Sequence, residues 1–404
     1  MARNETRRRA LPAVVTLLAA ASGGAAGATL TEALTRGTPL LDVRYRFEQV
    51  DESGFDRQAE ASTIRLRLGY TTGAFHGFVA HVDVEAIEPL GAEKYDSTAN
   101  GRGEFPVVAD PEQTEVNQAW LGYRARCGAA LELGRQRIVL DNHRFVGNVG
   151  FRQNEQTFDA LAVSGKAGER LELYYAHLIN ANRPFGEDHP DPRLADLDLD
   201  ADLLRAALPL RRGTLVAYVH RLKLEDTPDR SQRNLGVRFT GAAPIRGTKL
   251  LYALELAEQD DYADGAPFVD AGYRLAEIGF EKRPIGVRLG YERLGGDGDY
   301  GFSTPLATLH AHNGWADKFL TTPDAGLEDR YLALAANALG LSWEGVYHDF
   351  GADAGGADYG SEIDLRVERA FGELAALEVA YASYAADGFS TDTDKLWLTA
   401  RLAF

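Results

Sequence analysis

Apolar and polar residues alternate along most of this chain. Leu41, Val43, Tyr45 and Phe47 interleave with Asp42, Arg44, Arg46 and Glu48, and Ile64, Leu66, Leu68 and Tyr70 with Arg65 and Arg67. Phe78, Ala80, Val82, Val84 and Ala86 interleave with His81, Asp83 and Glu85, and Ala119, Leu121 and Tyr123 with Gln118, Trp120, Arg124 and Arg126. The same rhythm returns at 171–175, 234–239, 249–256, 285–292 and 363–368. A period of two places successive side chains on opposite faces of a strand, so each run has one apolar wall and one charged wall. The runs approach the ~9–11 residues that a tilted strand needs to cross a bilayer. Residues 201–208 and 331–337 read equally well on either face. The pattern predicts an all-β chain, a single antiparallel transmembrane β-barrel of roughly 16–18 strands.

The connections predicted between strands come in two sizes. Thr71-Thr72-Gly73 and Lys166-Ala167-Gly168 suit short periplasmic turns, whereas 88–113, 180–200, 259–270 and 295–329 are long and acidic, as outer loops are. No shift in composition marks a second domain. The chain ends on Phe404, with Leu396, Leu398, Ala400 and Leu402 sharing its face and Trp397, Thr399 and Arg401 on the other. This ending resembles the C-terminal signature by which bacterial outer-membrane proteins engage their insertion machinery.

The first residues follow another logic. Arg3, Arg7, Arg8 and Arg9 precede an apolar stretch from Ala10 to Ala21, and Ala26-Gly27-Ala28 forms a small-x-small cleavage site. Residues 1–28 are therefore expected to be a cleaved signal peptide, with the barrel occupying 29–404. The apolar stretch falls short of the ~20 residues of a transmembrane helix. Composition adds little except at the extremes. The 42 glycines, 17 tyrosines and 18 phenylalanines fit turns and interfacial aromatics. Cys127 stands alone, which excludes an intrachain disulfide and a cysteine metal cluster. A net charge of -17 excludes nucleic acid as a natural partner.

One segment breaks the alternation. Residues 132–160 contain Arg135, Arg137, Arg144 and Arg152 among glycines, with Gln136, Asp141, Asn142, Gln153, Asn154 and Asp159. Arginine at the bilayer midplane costs ~2–4 kcal/mol, so these side chains are expected in the lumen as an inserted charged segment. At this point the string GRQRIVLDNHRFVGNVGFRQNEQTFDA resembles the signature of the alginate-export family of outer-membrane porins. The later string TLHAHNGWADKFL, with His310, Asn313, Asp317 and Lys318, supports the resemblance. It implies a monomeric barrel in the Gram-negative outer membrane, of about eighteen strands, passing an anionic uronate polysaccharide through an arginine-lined constriction. The matched charged positions are Arg135, Arg137, Arg144, Arg152 and Asp159.

The charge balance departs from a dedicated polyanion conduit, since 60 acids outnumber 43 bases. Asp42, Glu48, Asp83, Glu85 and Glu172 are placed to pair with lumen arginines and leave a mixed interior. Candidate pore-lining residues are Arg44, Arg46, Arg65, Arg67, Arg124, Arg135, Arg137, Arg144, Arg152, Gln153, Asp159 and Lys318. Arg44, Arg46, Arg65 and Arg67 could equally form cross-strand ion pairs, and 135–159 could be a structural plug. No HExxH, GxSxG or phosphate loop is present, and His310 and His312 lack a third ligand, so neither catalysis nor a metal or other cofactor is expected. The expected partners are membrane lipid, the insertion machinery and anionic or polar solutes, including polysaccharide such as alginate. A weakly selective general porin and an adhesive or structural barrel are the alternatives.

Overall fold

The computed structural model describes residues 29–404. The expected signal peptide at 1–28 lies outside the described residues. A six-residue helix, α1 (Leu30–Thr35), precedes eighteen antiparallel strands. In chain order these are β1 (Thr38–Glu52), β2 (Ala59–Thr71), β3 (Phe78–Pro89), β4 (Gln113–Arg124), β5 (Ala130–Gln136), β6 (Thr157–Ala167), β7 (Leu171–Asn182), β8 (Asp196–Leu210) and β9 (Gly213–Leu224). They continue as β10 (Gln232–Ile245), β11 (Thr248–Asp261), β12 (Asp270–Lys282), β13 (Ile285–Leu294), β14 (Leu327–Ala338), β15 (Leu341–Gly351), β16 (Asp358–Phe371), β17 (Ala375–Ala386) and β18 (Thr393–Ala403). Each strand pairs with its chain neighbours, and β1 pairs with both β2 and β18, so the sheet closes into a barrel without edges.

Outward positions carry the apolar residues. Leu66, Leu68, Leu254, Leu256, Leu289, Leu365 and Leu402 are 39–56% exposed, which in this architecture means facing lipid. Inward positions of β1 and β2, namely Asp42, Arg44, Arg46, Glu48, Arg65 and Arg67, are buried. The alternation read from sequence thus separates a lipid wall from a lumen wall. No helix among the described residues is long and apolar enough to cross a membrane.

The connections of five residues or fewer between the described strands all lie at one end of the barrel, among them 168–170, 211–212, 246–247, 283–284 and 339–340. The other end carries 90–112, 137–156, 183–195 and 295–326. The charged insertion is shorter than predicted. Residues 132–136 and 157–160 belong to β5 and β6, and the loop proper, here the first inner loop, is 137–156. A second inner loop, 295–326, joins β13 to β14.

The last strand closes the barrel. Phe404 donates its backbone N–H to the Leu41 carbonyl at 2.8 Å and accepts from Leu41 N–H at 3.2 Å, while its ring stays 61% exposed beside Leu402. Phe404→Asp is expected to lower outer-membrane abundance about tenfold, because a carboxylate replaces a lipid-facing aromatic on the closing strand. Fractionation and immunoblotting check this; wild-type abundance of the variant would contradict it.

Candidate functional site: a lumen narrowed by two loops

Both inner loops turn back into the barrel, and the strand residues explain how they are held. The first inner loop offers carbonyl oxygens to the arginines of β1 and β2. Arg44 donates to the Gly150 carbonyl at 2.9 Å, to the Arg152 carbonyl and to Gln153 Oε1 at 2.8 Å. Arg46 donates to the Phe151 carbonyl at 2.5 Å, and its guanidinium lies 4.2 Å from the centre of the Phe151 ring. Arg65 donates to the Gln153 carbonyl at 3.2 Å and pairs with Asp42. Gln153 itself is fully buried and donates to Thr63 Oγ1 at 2.9 Å.

Deeper in the wall, Glu155 sits between Arg67 at 3.1 Å and Arg137 at 2.6 Å and accepts from Asn117 and Asn148. Burial alone would raise this carboxyl, but the two guanidiniums outweigh it and hold Glu155 at about 2.

The second inner loop is held with the opposite polarity. The Trp315 and Ala316 N–H groups donate to Asp364 and Glu362 of β16 at 3.3 and 2.6 Å. Gly314 makes this possible: its φ is +85°, and a Cβ there would stand 2.3 Å from the Glu362 carboxylate. The loops also bind each other. Arg144 is buried between Glu292, at 2.9 Å, and Asn313, at 3.0 Å. Arg152 bridges Glu48 and Asp317 at 3.0 and 3.2 Å, and Lys395 reaches Asp317 at 3.1 Å. His310 Nδ1–H donates to the Asp317 carboxylate at 2.8 Å and stacks on Phe151 with ring centres 3.4 Å apart. Trp397 meets both rings edge-on.

This aromatic septum divides the lumen. On the long-loop side lies a cavity of about 380 Å³, with Arg152, Arg183, Lys318 and Lys395 against Glu52 and Asp317. On the short-turn side lies one of about 610 Å³, with Arg44, Arg46, Arg366 and Arg401 against Glu344, Glu368 and Glu378. His310 lines both. A side chamber of about 450 Å³ is acidic instead, with Glu277, Glu292, Asp329 and Glu344 against Arg238 and Arg288.

The residues singled out from sequence therefore divide. Arg44, Arg46, Arg65, Arg67, Arg137, Arg144, Arg152 and Gln153 come together at the loops, mostly engaged by protein partners. Lys318 lines the outer cavity and pairs with Glu52 at 2.8 Å. Arg135 and Asp159 do not project into the lumen. They are register partners 3.0 Å apart, on the face that Leu121 and Leu133 present outward. The wall at β5 and β6 rises past the apolar belt, and a surface ion pair satisfies both. Arg124 is exposed at the short-turn end of β4, without an ion-pair partner among the described residues. The sequence reading missed Arg183, Lys395, Glu362 and Asp364. Arg183 lay in a stretch read only as an acidic loop, and the other three lay in strands whose charges carried no motif.

The sequence of the chain matches the family model described as "Alginate export" over residues 40–300. The chain belongs to the alginate export family. Its fold is also that of solved outer-membrane porins. OccAB4 of Acinetobacter baumannii superposes with a TM-score of 0.74 at 13% identity, covering 92% of this chain and 98% of that one. OpdK of Pseudomonas aeruginosa, crystallised with vanillate, gives 0.72 at 14% identity, with 92% and 99% covered. OccD3 (OpdP) of Pseudomonas aeruginosa gives 0.70 at 15% identity, with 93% and 92% covered. No curated protein sequence matches the chain. This alginate-export family member is an outer-membrane, porin-like barrel and not an enzyme.

The second inner loop carries a pH dependence. Burial, reinforced by the Arg144 guanidinium, pushes the His312 imidazole down to about 4. Between the ordinary histidine value near 6.5 and about 4, the released loop binds a proton that the docked loop does not. Docking therefore weakens as pH falls through that window, whereas Glu155 stays ionised until about 2 and keeps the first loop anchored. Hydrogen exchange corrected for intrinsic rates should show residues 309–318 losing protection from pH 6.5 to 4 while 150–156 keep theirs. In His312→Gln the larger part of that loss should disappear; equal loss in both loops would contradict the account.

Proposed function

We propose that this member of the family passes anionic solutes, with uronate sugars as the leading candidates, along the basic route through the outer cavity, past the aromatic septum and into the inner cavity. The observation that carries this reading is the excess of cations over acids in the outer cavity. One of them, Arg183, has a buried Nε without a hydrogen-bond partner among the described residues. A guanidinium so placed offers a forked donor to a carboxylate. Phe185, with its ring centre 5.4 Å from that guanidinium, supplies an apolar wall for a sugar or aromatic ring. The solute-bearing OpdK structure holds vanillate within the same fold, which is consistent with a carboxylate route.

The acidic side chamber favours a second reading, a weakly selective general porin in which the loops are only structural. Reversal potentials in a salt gradient separate the two. Arg183→Ala/Lys318→Ala should lower the anion-to-cation permeability ratio about threefold at low salt and relieve block by galacturonate oligomers. An unchanged ratio and unchanged block in the folded variant would leave the general-porin reading.

A further inference from the structure

The membrane-facing wall has its own charge pattern at the level where apolar residues stop. On β9, the outward series Leu215, Ala217, Val219 ends in Arg221, and on β10 Val237 and Leu235 end in Arg233. On β12 Ile278 and Ala276 end in Arg274, and on β13 Leu289 and Tyr291 end in Arg293. On β14 Leu332 gives way to Arg330. The residues just below are lipid-facing, with Leu235 57%, Ile278 44% and Leu289 54% exposed. The arginines therefore stand at the headgroup level of the leaflet on the long-loop side. β11, between β10 and β12, ends its outward series in Glu258 and Asp260 instead. Around the rest of the barrel the same step is acidic or neutral at Asp349 on β15, Ser361 on β16, Asp394 on β18, Glu60 on β2 and Glu88 on β3, while Arg135 on β5 is neutralised by Asp159.

Register sharpens the pattern. Arg221 lies directly opposite Arg233, and Arg274 directly opposite Arg293. Like charges facing each other across strands repel. Arg233 and Arg293 have Asp260 and Asp353 as partners, but Arg221 and Arg274 have no ion-pair partner among the described residues. Asp202, opposite Arg221 on β8, is turned instead to Tyr175 and His177 at 2.8 and 3.3 Å. Two unneutralised guanidiniums beside two others, on a surface that lipid must cover, call for an anion supplied by the membrane.

We propose that the two outward arginine pairs, on β9/β10 and on β12/β13, form a docking surface for phosphorylated lipid headgroups of the outer leaflet, with one phosphate at Arg221/Arg233 and another at Arg274/Arg293. Guanidinium forks match phosphate oxygens in geometry and charge, and the acyl chains would lie along the leucine-rich wall below. The acidic remainder of the rim disfavours the same headgroups, so lipid would be held on one side of the barrel.

Native mass spectrometry of the detergent-solubilised barrel tests this with bisphosphorylated lipid A and its fully dephosphorylated form as probes. The wild type should retain the bisphosphorylated form with at least about tenfold higher apparent affinity. Arg221→Ser/Arg274→Ser should fall to the level of the dephosphorylated probe, while Arg369→Ser, an outward arginine at the short-turn end of β16, should not change. Heat-modifiable migration confirms folding, and Arg221→Gln/Arg274→Gln carries the same reading if the serine pair does not fold. Equal retention of both probes, or wild-type retention by the folded double variant, overturns the proposal. Displacement of the lipid by millimolar inorganic phosphate also overturns it, by showing a site for free anions.

Discussion

Replacing Arg44 and Arg65 together by serine should raise the unit conductance of the channel several-fold and abolish most of its ion selectivity. These two guanidiniums hold the Gly150, Arg152 and Gln153 carbonyls, so their loss frees the first inner loop from the wall of β1 and β2. A loop that narrows the lumen sets both the conductance and the choice of ion. The released carbonyls would find water, which makes the open arrangement accessible rather than merely unfolded. Single-channel recording in a planar bilayer reads the outcome directly. Wild-type conductance in the double variant would mean that the remaining contacts of Arg46, Arg67 and Arg152 suffice to hold the loop.

The second large effect concerns stability. Among the described residues Glu155 is the only acid paired with Arg137 and one of three beside Arg67, and it is almost wholly buried. Removing one partner of a buried charge network strands the others, at a cost of about 3–5 kcal/mol. Glu155→Ala should therefore lower the denaturant midpoint of the loop-closed barrel markedly. The sign of the pH effect is fixed by the depressed value of about 2: the stabilisation is complete above the ordinary carboxylate range and is lost progressively as pH falls from that range through about 2. A midpoint in Glu155→Ala equal to wild type would remove Glu155 from the network that holds the loop.

Much of the barrel was legible because lipid imposes a strict rule on alternate residues. The 64–70 and 285–291 runs had only one register that keeps arginine out of lipid, and the structure adopts it. Where that rule lapses, so did the reading. On β8 the inward residues Leu197, Leu199, Ala201 and Leu203 are apolar because Ile138, Phe145 and Val146 of the first inner loop pack in the same core. The outward residues there include Asp198, Asp200 and Asp202, beyond the apolar belt, so neither wall carried its usual sign. Arg135 failed for a related reason. The argument that clustered guanidiniums avoid lipid assumes the wall ends with the bilayer, and β5 continues past it. The charged segment was visible as an anomaly, but the β1 and β2 arginines that hold it lie more than eighty residues away in sequence, as with Arg65 and Gln153. No local pattern encodes such a contact.

The seam of the cylinder, where the first and last strands meet, is cross-tied on its inner side. Asp42 of β1 pairs with Arg401 of β18 at 2.6 Å. Glu48 of β1 is joined through Arg152 to Asp317, and Asp317 to Lys395 of β18. Lys318 adds a tie to Glu52 of β1. These stitches use residues from both inner loops, so the loops that obstruct the passage also fasten the join between the chain's two ends. A barrel caught before that join closes would lack its fastening and its obstruction together, and would be both the least stable and the leakiest form the chain can take.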